Sequence, residues 1–432
     1  MPTIHLRPLR RTLPFVAAAA IAVTLAGCGT SSDSGSGHFG LLINDDNAIV
    51  QDALTSLSTG ACEAENKALP LDIETVPQSG LDQQLQLLGG QSALPAQFAA
   101  SGSPAVTKSL DEAGQTLDLE ATLTDLGVID DIEPAALSTI ENLYGGFIVL
   151  PYQFNIEGVW YNKQIFAENG LEVPTTWDEM VAAAQTLTDA GVTAFSASGE
   201  QGWPITRLIS GYLYRELGPD ALQRIAAGDA KLTDPEYVAA AQAIADLGAA
   251  GYFGAGVGSI DYDTAVSQFL TGQAGMFYMG SWTLGAFNDP EQNQIGEDNI
   301  GFFPLPEVSG GVGSADQIPA NVGLPIAVSA KGYNDEVGKW LTCISENYGT
   351  ESLAEQGTVS GFKATGDVGD LPPLTQLVQD TIADTTESTL WFEALFGAKA
   401  TLTSQQNAAQ LVTGAMSAED FMAAVQADLD SE

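Results

Sequence analysis

The chain has 432 residues, 45% of them hydrophobic, and carries 14 Lys and Arg against 55 Asp and Glu, a net charge of −41. That length exceeds what one ordinary core supports, so two or more domains are expected. The acidity argues against nucleic acid or an anionic membrane as a partner, and two His leave no basis for a His-rich metal centre. What remains for the charge is a soluble, self-repelling surface, capture of cations, or a high-salt habitat.

At the amino terminus, Arg7, Arg10 and Arg11 precede an apolar run from Leu13 to Leu25, the pattern of a secretory signal. Leu25-Ala26-Gly27-Cys28 resembles the bacterial lipobox, in which Cys28 would be acylated and become the first mature residue. The other reading is an ordinary cleavage site beside an incidental Cys. The run is too short for a comfortable transmembrane helix, and no later segment offers one. Residues 28–37 read as a flexible polar tether. Cys62 and Cys343 remain in the body; an oxidising compartment permits a disulfide between them, and two small buried hydrophobes are the alternative.

Phe39 to Ile43 reads as a first strand, with Asn44-Asp45-Asp46-Asn47 as the turn after it and a helix through Ile49, Val50, Ala53, Leu54 and Leu57. Leu71–Val76 alternates as a strand, and Leu81–Leu88 reads as a helix ended by Gly89-Gly90. Ala93–Ala100 is strand-like but interrupted by Pro95. Helices follow at Ala105–Asp111 and near Asp118–Leu126. This alternation predicts a mostly parallel sheet. Gly145–Phe154 is an apolar strand whose Pro151 points to an edge or to a crossing between lobes, and Glu157–Tyr161 is a further strand. Asn162 caps a short helix ended by Gly170, and Thr176 with Glu179 forms a capping box on the long helix that follows.

Further on, Ala265, Val266, Phe269 and Leu270 share a helix face, and Gly272 supplies a left-handed stop. Ala274–Met279 is an apolar run expected to be a parallel strand covered on both faces. Gly280-Ser281 breaks it, with Ser281 expected to cap the next helix. Trp282 therefore stands beyond the carboxyl end of a buried strand, where open α/β sheets bind ligands. The last section, Glu351–Glu432, reads as mostly helical, with Ser417-Ala-Glu-Asp420 as a capping box.

Two stretches, GVWYNKQIFAENGLEVPTTWDEMVAAAQTLTDAG and FLTGQAGMFYMGSW, occur in the order in which they stand in one family. They resemble family 1 extracellular solute-binding proteins, the sugar-binding subunits of ABC importers and relatives of maltose-binding protein. LPIAVSAKG and the helical carboxyl terminus carry a looser likeness. The resemblance implies an α/β, two-lobe periplasmic-binding-protein-like fold with a hinge and a ligand cleft. It places the first crossing near Val149–Asn155 and the return near Ile300–Leu305. On that tracing residues 38–150 and 301–348 form the first lobe and 156–299 and 351–432 the second. Cys62 and Cys343 then share a lobe, which favours the disulfide slightly. The implied protein is a monomer on the outer face of the cytoplasmic membrane, held by its lipid anchor alone and partnered by permease subunits.

Catalysis finds little support: no G-x-S-x-G, H-E-x-x-H, P-loop or C-x-x-C is present, and no histidine stands in the folded body. Glycoside hydrolysis needs only two carboxylates, but nothing singles out a pair. A neutral polyhydroxylated ligand needs aromatic faces and planar polar groups, and no cofactor. The candidates are Asn44, Asp45, Asp46 and Gln83 from the first lobe, Tyr161, Trp203 and Trp282 from the second, Trp391 from the carboxyl section, and Asn321, whose loop resembles the family's hinge-side ligand loop. Trp160 and Tyr161 alternate on a strand, so only one can face the cleft, and Tyr161 is the one expected. Trp177 and Trp340 read as packing residues. Arg207, Arg215 and Arg224, the only body arginines, are too few to suggest an anionic ligand. A polyamine or other cation receptor, whose cleft would hold several carboxylates, stays open as a second binding reading.

Overall fold

The computed structural model describes residues 37–44, 48–100 and 104–431, and Cys28, Asp45 and Asp46 lie outside the described residues. Eleven strands form among these: β1 Phe39–Asn44, β2 Leu71–Val76, β3 Gln97–Ala99, β4 Val149–Pro151, β5 Asn155–Asn162, β6 Thr193–Ser196, β7 Ala274–Gly280, β8 Ile300–Phe303, β9 Ile318–Asn321, β10 Pro325–Val328 and β11 Ser388–Thr389. They build two sheets, one in the order β2-β1-β3-β10-β4 and one in the order β11-β9-β5-β7-β6, with β8 also paired to β5. Helices surround both.

The first sheet is parallel only in part. β1 runs parallel to β2 and β3, but β10 is antiparallel to both β3 and β4. A strand that arrives from the other lobe enters from the opposite end, which the local β/α alternation does not reveal. Pro151 closes β4, a strand at the sheet edge; there its missing N–H breaks no ladder. Pro95 likewise shortens the expected strand at 93–100 to Gln97–Ala99.

The chain passes from β4 on the first sheet to β5 on the second within three residues. The expected return near Ile300–Leu305 does not occur there. β8 lies antiparallel on β5, with Val159 opposite Phe303, and β9 still pairs with β5 through Asn155 and Asn321. The return therefore falls between β9 and β10. The carboxyl section is not all in the second lobe either. The helix Asp335–Gln356 packs on the first-lobe helices, and the backbone at 359–361 bonds to Phe154 and Pro151. Only from Phe392 onward does the chain join the core formed by the helices Trp203–Leu217 and Pro235–Ala249.

Cys62 and Cys343 are bonded to each other, with Cα atoms 5.9 Å apart and a separation of 281 positions in sequence. Both are buried in the first-lobe core. Trp340 stacks on Phe39 at 4.7 Å and its indole N–H donates to the Leu69 carbonyl, as befits a packing residue. Among the described residues no helix is long and apolar enough to cross a membrane.

Candidate functional site

The site starts from β7. All seven of its residues are buried, because the strand runs inside the second sheet between β5 and β6. It pairs parallel with β6 and antiparallel with β5, so the expected all-parallel neighbourhood is half right. The helix before it, Tyr262–Leu270, ends as expected with Gly272 at a φ of 75°. After β7 comes a turn, Ser281–Thr283, then a short helix. Ser281 does not cap that helix. Its hydroxyl accepts from the Ile156 backbone N–H at 3.2 Å and donates to Asn155 Oδ1 at 3.4 Å, tying the turn to the crossing strand. Gly280 leaves room for the Trp282 ring: a Cβ at this position would sit 1.9 Å from a ring carbon.

Trp282 lines a cavity of about 450 Å³ together with Gln153, Asn155, Ser281, Asn288, Gln356 and Thr358. Ile49 joins from the helix after β1 and Val359 from the chain beside the crossing, so residues of both lobes and of the crossing meet there. Among the described residues this lining holds four carboxamides, two hydroxyls and one indole, and no charged side chain. Asn288 Oδ1 and Gln356 Oε1 are buried acceptors without a protein partner; such groups cost free energy until a donor reaches them.

Beside the cavity three predicted aromatics converge on a residue the sequence reading had set aside. Gly202, with a φ of 73° and a would-be Cβ 1.9 Å from the Gln405 carbonyl oxygen, starts the helix Trp203–Leu217 hard against the helix Ala398–Val412. Trp203 and Arg207 are i and i+4 on it and so share a face. The Arg207 guanidinium carbon lies 4.8 Å from the Trp203 ring centroid, 5.2 Å from Trp282 and 5.6 Å from Trp391. The Trp203 and Trp282 rings are themselves 5.8 Å apart, edge to face, and the Tyr262 ring lies 6.0 Å from Trp203.

Arg207 is paired with Glu157, which is almost fully buried on β5. Asn321 Nδ2 donates to the same carboxylate oxygen at 3.2 Å, and Asn155 Nδ2 donates to Asn321 Oδ1 at 3.3 Å. One chain of polar contacts thus links the cavity wall to the arginine. Burial pushes the Glu157 carboxyl up, with Arg207 and Asn321 opposing. Glu393, also buried, accepts from the Thr206 hydroxyl at 2.6 Å and the Ser404 hydroxyl at 2.7 Å. Burial again raises it, against these two bonds and Arg207.

The candidates divide accordingly. Trp203, Trp282, Trp391 and Asn321 meet in one place. Asn44 ends β1 and is buried, just ahead of the undescribed turn. Gln83 is exposed on its helix and does not line the cavity. Tyr161 does not line the cavity: six positions beyond Asn155 on β5, it packs on Phe166 at 4.8 Å and Phe303 at 5.7 Å. Its strand partner Trp160 is fully buried, with its indole N–H on the Met279 carbonyl, so neither aromatic faces the cleft. The reading missed Glu157, Arg207, Glu393 and the carboxamides. Glu157, an acid inside an apolar strand, could have been flagged, since such a charge needs a buried partner. Among the described residues no group of acids, His and Cys could hold a metal ion.

The family model described as "Bacterial extracellular solute-binding protein" matches residues 48–351. The chain is 29% identical over 164 residues to an uncharacterized ABC transporter extracellular-binding protein of Pyrococcus horikoshii, covering 37% of each. It thus spans little more than a third of that relative. Among solved structures, a chitin oligosaccharide binding protein is 25% identical with a TM-score of 0.72, over 91% of this chain and 98% of the other. A probable secreted solute-binding lipoprotein from Streptomyces coelicolor superposes with a TM-score of 0.78 at 18% identity, over 93% and 100% of the two chains.

Proposed function

We propose that this chain, which belongs to the bacterial extracellular solute-binding protein family, binds a neutral sugar or oligosaccharide in the cavity beside Trp282 and delivers it to the permease of an ABC importer. One observation carries the choice of ligand. In a protein with 55 acidic residues, the cavity wall offers carboxamides, hydroxyls and an indole, with no charged side chain among its described residues. Carboxamides pair with hydroxyls as both donors and acceptors. An indole face suits the apolar side of a pyranose ring. A polyamine would call for several carboxylates in that wall, and hydrolysis for a carboxylate pair flanking the bond.

The similarity to a chitin oligosaccharide binding protein supports the sugar reading without naming this chain's ligand. In the same reading Cys28 carries the lipid that holds the protein at the outer face of the membrane. Mass spectrometry of the cell-derived protein is expected to find an acylated Cys28 at the mature amino terminus, and an unmodified residue there would remove the anchor.

The deciding experiment is a thermal-shift and calorimetric screen of mono- and disaccharides, chito-oligosaccharides, polyols and polyamines. A ligand bound only by the native state raises the apparent melting temperature. Stabilisation by a saccharide, with no turnover of labelled oligosaccharide, is the expected result. Stabilisation by polyamines alone, or release of cleaved products, would overturn the reading.

A further inference from the structure

Arg207 fills a place that would otherwise suit a foreign cation. Three indoles, Trp203, Trp282 and Trp391, surround its guanidinium carbon at 4.8, 5.2 and 5.6 Å. The buried Glu157 carboxylate pairs with it, and it lowers the buried Glu393 carboxyl through space. Without the arginine, three π faces and two buried carboxylates would remain, the ingredients with which proteins recognise organic cations.

We infer that Arg207 is a positioning and specificity-determining residue: its guanidinium occupies an aromatic cation cage made by Trp203, Trp282 and Trp391, fixes the Trp282 ring that lines the cavity, and bars cationic solutes from the cleft. The inference rests on the reading above, in which Trp282 meets the solute. A guanidinium suits the task better than an ammonium, because its weakly hydrated plane stacks on rings while its edge pairs with a carboxylate. Arg207 Nε and Glu157 Oε2 are both buried without a partner. The cation is therefore held by an incomplete set of hydrogen bonds, and the ring faces supply part of the hold.

The arrangement also joins the cage to the hinge. Glu157 stands opposite Gly280 in the β5–β7 ladder, and Asn321, its other partner, lies on β9 where the chain leaves the second sheet. From Asn155 at the crossing the contacts run through Asn321, Glu157 and Arg207 to the indoles.

The test is chemical rescue in the full chain. Arg207→Ala should lose near-ultraviolet circular dichroism from the ordered indoles and weaken saccharide binding about 2–10-fold, the scale of losing a well-placed aromatic contact. Millimolar guanidinium, far below denaturing levels, should restore the aromatic signal and raise the melting temperature of the variant but not of the wild type. The inference falls if Arg207→Ala keeps the wild-type signal and affinity, or if guanidinium acts on it no more than on the wild type. Should that variant fail to fold, Glu157→Gln with Arg207→Met removes both charges of the buried pair and carries the same comparison. Loss of its aromatic signal and affinity supports the inference, and wild-type values of both overturn it. If the wild type binds no saccharide, the proposed function fails by itself, while the aromatic signal and guanidinium rescue still judge Arg207.

Discussion

Gly280→Ala tests whether the position of the Trp282 ring, rather than its mere presence, determines binding. Gly280 has an ordinary φ of −92°, so alanine brings no backbone strain, and the effect is steric. The added carbon would stand 1.9 Å from the Trp282 ring, whereas ordinary contact begins at 3.4 Å, so the ring must retreat by about 1.5 Å. Overpacking of this kind costs about 1–3 kcal/mol of stability. The displaced ring also loses its seat against Trp203 and Arg207, and a lost aromatic contact of about 0.5–1.5 kcal/mol raises the dissociation constant about 2–10-fold. Trp282→Ala, which removes the ring altogether, should cost about 1–3 kcal/mol of binding, the larger end of what one buried aromatic contributes. Gly90, away from the cavity, serves as the stability control, since a Cβ there meets nothing within 4 Å. Titration calorimetry gives the affinities, and urea denaturation with tryptophan emission gives stability and ring environment. A Gly280→Ala protein with wild-type affinity and emission would refute the role given to the ring's position.

Two further outcomes follow from the buried groups. In denaturant without reductant, Cys62 and Cys343 should resist alkylation, and reduction should lower stability by about 2–5 kcal/mol, because the bond closes a long loop in the unfolded chain; alkylation of both before reduction would disprove the bond. Glu393 is raised above its ordinary 4.5 by burial, so between 4.5 and its folded value the native state binds more protons than the unfolded state, and stability falls as pH rises through that window. Glu393→Gln should flatten this part of the urea-denaturation pH profile, and an unchanged slope would show that Glu393 does not titrate there.

What local pattern could decide, it decided by itself. The helix through Phe269, the glycine stop at Gly272, the buried strand and the position of Trp282 at its end are all short-range matters of periodicity, capping and burial. So is the Thr176–Glu179 capping box, whereas the two-lobe α/β architecture was expected from the resemblance alone. Tertiary structure decided everything that depends on which strands meet. The antiparallel entry of β10, the attachment of β8 and β9 to β5, and the later return to the first lobe depend on pairings between residues more than a hundred positions apart. Tyr161 was misplaced for the same reason: strand alternation gives a side chain's face, but which helix or strand covers that face is a property of the packed sheet. Arg207 is the clearest case. Counting arginines made it look incidental, yet a half-buried cation takes its meaning from Glu157, Trp282 and Trp391, which reach it from three other parts of the chain. Trp282 was legible from its own stretch as the residue beyond the carboxyl end of a buried strand, and only the fold could show that it shares an arginine with two more tryptophans.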